Sequence, residues 1–236
     1  MTQTAVPPAA EASLPRGTLL DVLPVAQRHE LMRLGTIRQY DDGSVLLREG
    51  EQTTHVLLFL GAVAKVTASL ENGRMALLGI RVTGDIVGEM AAIDGGPRSA
   101  TVTACGTAVL RIIQRAEFVD FLRSCPDAGI AVSGMISRRL RWANRRRVDF
   151  NGYPTRIRLA RVLVELAEAY GHTVMDGITF DIGLTQGELG AFVGAETDTI
   201  GKEIRKLRAQ KVIRTGYGQI SICDLQALKI FARMPD

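Results

Sequence analysis

Glu89, Arg98 and Ser99 lie in one short stretch, GEMAAIDGGPRSATV, at 88–102. Arg98 offers a planar fork to phosphate oxygens, and Ser99 adds a hydroxyl donor. A turn of helix opening near Gly88 would contribute free backbone N–H groups and a positive dipole end. Glu89 would repel an anion unless it accepts hydrogen bonds from ligand hydroxyls, such as a ribose 2′-OH. Acid for sugar and arginine for phosphate ask for a nucleotide with one compact negative charge, its base walled in by strands. A bare Glu and Arg at this spacing would more readily make a structural ion pair on a loop, and it is the whole string that is specific.

A second constellation lies in LTQGELGAFVGAETDTIGKEIRKLRAQKVI. Thr185 can cap a helix, and Glu188 completes a capping box. Leu189, Phe192 and Val193 form its buried face, and Gly194 sits where a tight turn needs a positive φ. Glu196, Thr197 and Asp198 open a second helix with Ile200, Ile204 and Leu207 as its core face. Thr197, Thr199, Lys202, Arg205, Lys206 and Arg208 fill the other face. Short helix, glycine turn and a helix with basic flanks form the geometry for major-groove entry. VIRTGYGQISI reads as a following hairpin, a wing whose Arg214 and Tyr217 could touch phosphate.

Six arginines fill RRLRWANRRR at 138–147, in a chain whose formal net charge is only +4. So many like charges must repel across a close dimer, which predicts acids or a bound anion nearby. Trp142 and these arginines could also form a ligand lid or meet a protein partner. Cys105, Cys125 and Cys223 are far apart and read as reduced thiols. The three histidines are scattered too, so no metal site and no catalytic pair is expected. With 46% apolar residues, the 236-residue chain can bury a real core. Its apolar runs are too short to span a bilayer, and its first 17 residues read as a flexible tail with no secretory signal. A cytoplasmic location is expected, with no membrane partner.

The elements that must position these groups follow from periodicity. A leading helix fits VLPVAQRHELMRLG. VLLREG, HVLLFLG, AVAKVTASL, RMALLGI and ATVTA read as strands, with ENG at 71–73 as a hairpin turn. Many short strands suggest an antiparallel roll. RAEFVDFLRS is a short helix, and a long one runs from about Asp127 to Phe150. Gly129, Val132, Ile136, Leu140 and Ala143 form its apolar stripe, to be covered by the roll or by a second copy. NGYP at 151–154 breaks the chain, and Thr155 opens a further helix. The expected fold is α+β: tail 1–17, β-roll 18–126, long helix and hinge 127–152, and winged helix-turn-helix 153–236.

GDIVGEMAAIDGGPRSATVTA closely resembles the phosphate-binding cassette of cyclic-nucleotide-binding domains. With the long helix and LTQGELGAFVGAETDTIGKEIRKL after it, residues 18–235 resemble the cyclic-AMP receptor protein and fumarate–nitrate regulator family of bacterial transcription regulators. The resemblance implies that Glu89 binds the ribose, that Arg98 and Ser99 bind the cyclic phosphate, and that the backbone of Gly88, Met90 and Ala91 helps. Arg139 would sit near Glu89, and the purine-contacting pair would fall at Ala143 and Asn144. DNA contacts would come from Thr185, Gln186, Glu196, Thr197, Asp198, Thr199, Lys202 and Arg205, with Thr197, Asp198 and Lys202 reading bases. Where the cyclic-AMP receptor has Thr-Ser, this chain has Ala143-Asn144, and its DNA-reading set also differs. Thr155 stands after Pro154 as an alternative cap. The resemblance implies a homodimer through residues 127–150, double-stranded DNA and RNA polymerase as partners, and no catalysis. Cyclic AMP is the expected effector. Cyclic GMP, another small effector, no ligand at all, or a protein-interaction role are the alternatives.

Overall fold

The computed structural model describes residues 14–180, 182–216 and 219–234. It opens with two short helices, α1 (Leu19–Val22) and α2 (Val25–Leu31), where the sequence predicts one. Pro24 explains the split: it has no N–H to donate, and it holds Leu23 extended at φ −73°, ψ 137°.

Six strands then form an antiparallel roll, with α3 (Glu89–Asp94) connecting the fifth strand to the sixth. They are β1 (Thr36–Tyr40), β2 (Val45–Leu47), β3 (Val56–Ser69), β4 (Met75–Val82), β5 (Ile86–Val87) and β6 (Thr101–Ile113). The order is β1-β6-β3-β4, with β2 on β6 and β5 on β3. HVLLFLG and AVAKVTASL, expected as separate strands, run on as β3. Register shifts around Gly61 absorb the irregularity as bulges instead of a turn. The ENG turn forms as expected: Leu70 N–H donates to the Arg74 carbonyl at 2.8 Å, and Gly73 takes φ +76°. Leu46, Leu57, Phe59, Val102 and Leu110 fill the roll.

α4 (Arg115–Ser124) carries a Gln114–Glu117 capping box and leads into α5 (Pro126–Gly152). Ala128, Val132 and Met135 of α5 pack against the roll with Leu19, Leu58 and Phe118. Continued at spacings of four and three, that face carries Arg139, Trp142, Arg146 and Asp149. Of the expected stripe, Val132 and Ile136 meet the roll and Gly129 is half-buried, whereas the second half is open within one chain. Leu140 is 60% exposed and Ala143 is exposed too, while Ile130 and Val148 are also open. The 3.6-residue turn moves Leu140 off the face that Val132 starts.

The C-terminal part comprises α6 (Thr155–Tyr170), β7 (His172–Val174), β8 (Gly177–Phe180), α7 (Gln186–Val193), α8 (Thr197–Ala209), β9 (Ile213–Thr215), β10 (Ile220–Ile222) and α9 (Leu225–Ala232). The strands form the sheet β7-β8-β10-β9, a winged helix-turn-helix. Thr155 does not cap α6. It is the first helical residue, Pro154 is the cap, and Thr155 Oγ1 accepts from Arg158 Nη2 at 3.3 Å. Leu77, Ile80 and Val82 of β4 share one apolar cluster with Leu163 and Leu166 of α6 and Leu189 and Phe192 of α7. The winged helix thus docks on the outer face of the roll.

Candidate functional site

Gly88 adopts φ +85°, and its position is tight: a Cβ there would meet Arg98 Nη1 at 2.6 Å and the His55 carbonyl at 2.7 Å. This lets the chain turn from β5 into α3 directly beside Arg98. Arg98 is 3% exposed. Its Nε donates to Thr53 Oγ1 at 2.9 Å, Nη1 to the Gly88 carbonyl at 3.1 Å, and Nη2 to the His55 carbonyl at 2.7 Å. No carboxylate pairs with it among the described residues, so its fork is fixed while its charge stays uncompensated. Burial draws the guanidinium pKa downward, against the pull of Glu51 and Glu89. Burial, with Arg98 next to it, likewise lowers the pKa of His55. Ser99 is exposed, its hydroxyl 3.8 Å from Met90 Sδ.

Glu89 is buried and paired. Arg139 Nη1 donates to its Oε1 at 2.7 Å, while Arg139 Nη2 donates to the Ile86 carbonyl at 2.9 Å and lies 3.5 Å from Asp85 Oδ1. The expected proximity of Arg139 to Glu89 is therefore a direct ion pair, and it ties α5 to the start of the cassette. Gly88, Glu89, Met90, Ala91, Arg98, Ser99, Arg139 and Ala143 all line one cavity of ≈ 910 Å³. Asn144 does not: it is exposed on the outer side of α5.

The cavity is also lined from α6 and α7, by Glu165, Leu166, Tyr170 and Phe192. Trp142 closes this side. Its Nε1 donates to Glu165 Oε2 at 2.9 Å, and its ring centroid lies 5.5 Å from that of Phe192. Arg146 stacks over both rings and donates to the Phe192 carbonyl at 2.7 Å. Burial raises the Glu165 pKa against the opposing charge of Arg146. Within the arginine cluster, then, acids do lie beside Arg139 and Arg146, and Trp142 is a wall of the cavity. Arg141, Arg145 and Arg147 are exposed.

In the helix-turn-helix, Thr185 Oγ1 accepts from Glu188 N–H at 3.1 Å, and Thr185 N–H donates to Glu188 Oε2 at 2.8 Å, which completes the capping box. Gly194 adopts φ +66°, and a Cβ there would meet the Phe150 ring at 2.6 Å. Thr185, Gln186, Glu196, Thr197, Asp198, Lys202 and Arg205 are exposed on one side of the pair, whereas Thr199 is half-buried. Arg214 on β9 bonds Asp176 at 3.0 Å, and Tyr217 lies outside the described residues. Burial opposes ionisation of Glu188, yet bonds from Lys65 and Thr185 hold its carboxyl below the ordinary range.

Sequence reasoning missed Arg81, Asp85, Glu165, Lys65 and Arg74. Asp85, Glu165, Lys65 and Arg74 meet partners far away in the chain, and the one local signal was Arg81, a charge inside the apolar run MALLGIRV. Among the described residues no three metal-ligating side chains gather, and no helix is long and apolar enough to cross a membrane.

Comparison with known proteins agrees with this layout. The cyclic nucleotide-binding domain model matches residues 37–125, and the Crp-like helix-turn-helix domain model matches residues 157–231. The cAMP-activated global transcriptional regulator CRP of Pasteurella multocida is 30% identical over 182 residues, covering 75% of this chain and 85% of that protein. The CRP-like cAMP-activated global transcriptional regulator of Mycobacterium tuberculosis is 26% identical over 193 residues, 81% and 85% of the two chains. Among solved structures, a CRP/FNR-family transcriptional regulator from Thermus thermophilus superposes with a TM-score of 0.68 at 25% identity, over 85% of this chain and 100% of that one. A mutant of CooA from Carboxydothermus hydrogenoformans gives 0.72 at 18% identity, over 86% and 90%, a likeness of fold. A nucleotide-type cassette, a helix-turn-helix and these relatives in the same order place the chain in the CRP/FNR family: it is a DNA-binding transcription regulator and not an enzyme.

Proposed function

We propose that the protein is a homodimeric transcription factor whose affinity for DNA is set by a cyclic purine nucleotide held in the ≈ 910 Å³ cavity. The observation that carries this reading is that one cavity touches the cassette, the long helix and the winged helix together. The cyclic phosphate would meet the remaining N–H groups of Arg98, the Ser99 hydroxyl and the first-turn N–H groups of Met90 and Ala91. A ribose hydroxyl would donate to Glu89, competing with Arg139 for that carboxylate. Cyclic AMP is the effector supported by the names of the relatives. Cyclic GMP shares the same phosphate and sugar, so the cassette alone does not separate the two.

The nucleotide shifts the protein only if it binds two arrangements differently. Arg139 supplies the difference: released from Glu89, it frees α5 to move against the roll. Trp142 and Arg146 carry that movement to Glu165 on α6 and Phe192 on α7. Two recognition helices, α8 from each subunit, then enter successive major grooves of a near-palindromic site, with Thr197, Asp198 and Lys202 at the bases. Asn144, on the outer side of α5, would reach a ligand only in the partner subunit. RNA polymerase is the expected further partner, in the cytoplasm.

The test is selection of DNA fragments from a random pool with and without cyclic nucleotide, alongside calorimetry on the wild type and Arg98→Ala. Nucleotide-dependent enrichment, with saturable binding lost in the variant, is the expected result. Enrichment that ignores both nucleotides would leave a DNA-binding protein with no nucleotide control.

A further inference from the structure

We propose that Arg81 selects the base of the effector, so that the cavity prefers a purine presenting two adjacent acceptors, as guanine does through O6 and N7, over adenine. The inference rests on reading the cavity as a cyclic-nucleotide site. It begins with an anomaly of charge. Buried cations are ordinarily paired, because an uncompensated one loses its hydration for nothing. Arg81 lines the cavity from β4 and is half-buried with its Nε enclosed, yet no carboxylate lies within ion-pair distance among the described residues. Its one hydrogen bond runs from Nη1 to the Ile80 carbonyl at 2.7 Å, and its Nε has no partner. Burial, then neighbouring Arg139, pulls its pKa downward, while Asp85, Tyr170 and Glu89 pull the other way. Two other arginines of the cavity are engaged: Arg98 by three acceptors, Arg139 by Glu89, Asp85 and the Ile86 carbonyl.

Position gives the unspent donors a role. Arg98 bonds the Gly88 carbonyl, the next residue Glu89 bonds Arg139, and Arg139 lies 3.5 Å from Asp85, which accepts from the N–H of Val82, the residue after Arg81, at 3.2 Å. Glu89 and Arg139 therefore stand between the two arginines. With phosphate at Arg98 and ribose at Glu89, what extends beyond the sugar toward Arg139 and Tyr170 is the base. The strand also makes room for the fork. Gly79 precedes Arg81 by two residues on the same face, and a Cβ there would meet Arg81 Nη1 at 2.9 Å. An arginine fork matches the paired O6 and N7 acceptors of guanine. Adenine presents an amino donor next to N7, and two donors would face each other.

The experiment is calorimetry on the full chain with cyclic GMP, cyclic IMP and cyclic AMP. Cyclic IMP carries the O6/N7 edge but lacks the 2-amino group of guanine. The expected result is that cyclic GMP and cyclic IMP bind at least about fivefold more tightly than cyclic AMP. Arg81→Leu should bring both down to the level of cyclic AMP, whose binding it leaves unchanged or improves. Arg81→Lys keeps the charge without the fork and should lose most of the preference, which covers the case in which the leucine variant fails to fold. The proposal is overturned if wild-type protein binds cyclic AMP as tightly as the other two, if Arg81→Leu weakens all three alike, or if cyclic GMP is preferred while cyclic IMP is not. Absence of binding by all three would sink the cyclic-nucleotide reading itself, and this inference with it. Loss of all three in Arg98→Ala keeps the two questions apart.

Discussion

Two residues illustrate how a single side chain, or its absence, fixes local geometry. Arg98 is held by a threonine hydroxyl and two backbone carbonyls, groups that orient it without neutralising it. A carboxylate in their place would have cancelled the charge that an anion needs. Gly194 does the corresponding work in the helix-turn-helix. Its φ of +66° is costly for any L-residue with a Cβ, and the Phe150 ring occupies the space that a Cβ would take. Gly194→Ala should therefore destabilise the protein by about 1–2 kcal/mol, read as a lowered midpoint in urea denaturation. An unchanged midpoint would mean that the turn relaxes freely and that Phe150 is not packed on it in solution.

At the scale of the element, α5 has two faces with different duties. Ala128, Val132 and Met135 are spent on the roll, Arg139 and Trp142 continue that face along the cavity, and Arg146 carries it on to Phe192 of the winged helix. Off that face Ile130, Leu140 and Val148 are 70%, 60% and 66% exposed, with Leu140 at the rim of the cavity, more apolar surface than a lone charged helix needs to show. A second copy of α5 would cover it, as the family relationship leads one to expect. Leu140→Glu should shift the protein from dimer to monomer in sedimentation equilibrium while leaving its circular dichroism intact. The side chain is mostly exposed within one chain, so the fold of the monomer has little to lose. A dimer that survives this change would place the interface elsewhere.

For the molecule as a whole, the notable feature is how the winged helix rests on the roll. Lys65 reaches Glu188 at 2.7 Å and the Gly183 carbonyl at 3.1 Å, and Arg74 reaches Glu196 at 2.6 Å. Glu188 belongs to the capping box of α7, and Glu196 is the residue that opens α8. Both ion pairs therefore hold the helix-turn-helix by the end that a DNA groove would receive. Tyr170 adds a bond to the Ile80 carbonyl at 3.3 Å. Exposed pairs such as Arg74–Glu196 are worth about 0–1 kcal/mol, and the more sheltered Lys65–Glu188 somewhat more. The Lys65→Ala, Arg74→Ala double variant should accordingly bind DNA about twofold to tenfold more tightly without nucleotide, as read by fluorescence anisotropy. Equal or weaker binding would mean that these pairs do not restrain the DNA-binding face.

The sequence by itself determined whatever depends on near neighbours. The Thr185–Glu188 box, the glycine turns at 73 and 194, the helix turn that opens at Gly88 and the span of α5 are local patterns, and each formed where it was read. Local patterns also decided the order of the parts, because a cassette, a long helix and a helix-turn-helix each need only their own residues to be recognised. Where local reading failed, distance was the reason. Nothing near Thr155 says that Pro154 will take the cap, and a stripe drawn at three and four residues cannot tell which of two faces the roll will claim. Tertiary structure alone decided that Arg139 closes on Glu89, fifty residues away, that Glu165 bonds Trp142, and that Lys65 and Arg74 meet the helix-turn-helix. It alone left Arg81 half-buried and, among the described residues, without a carboxylate in ion-pair reach. Charge and burial are set by which surfaces meet, and that is a property of the packed chain and not of any stretch within it.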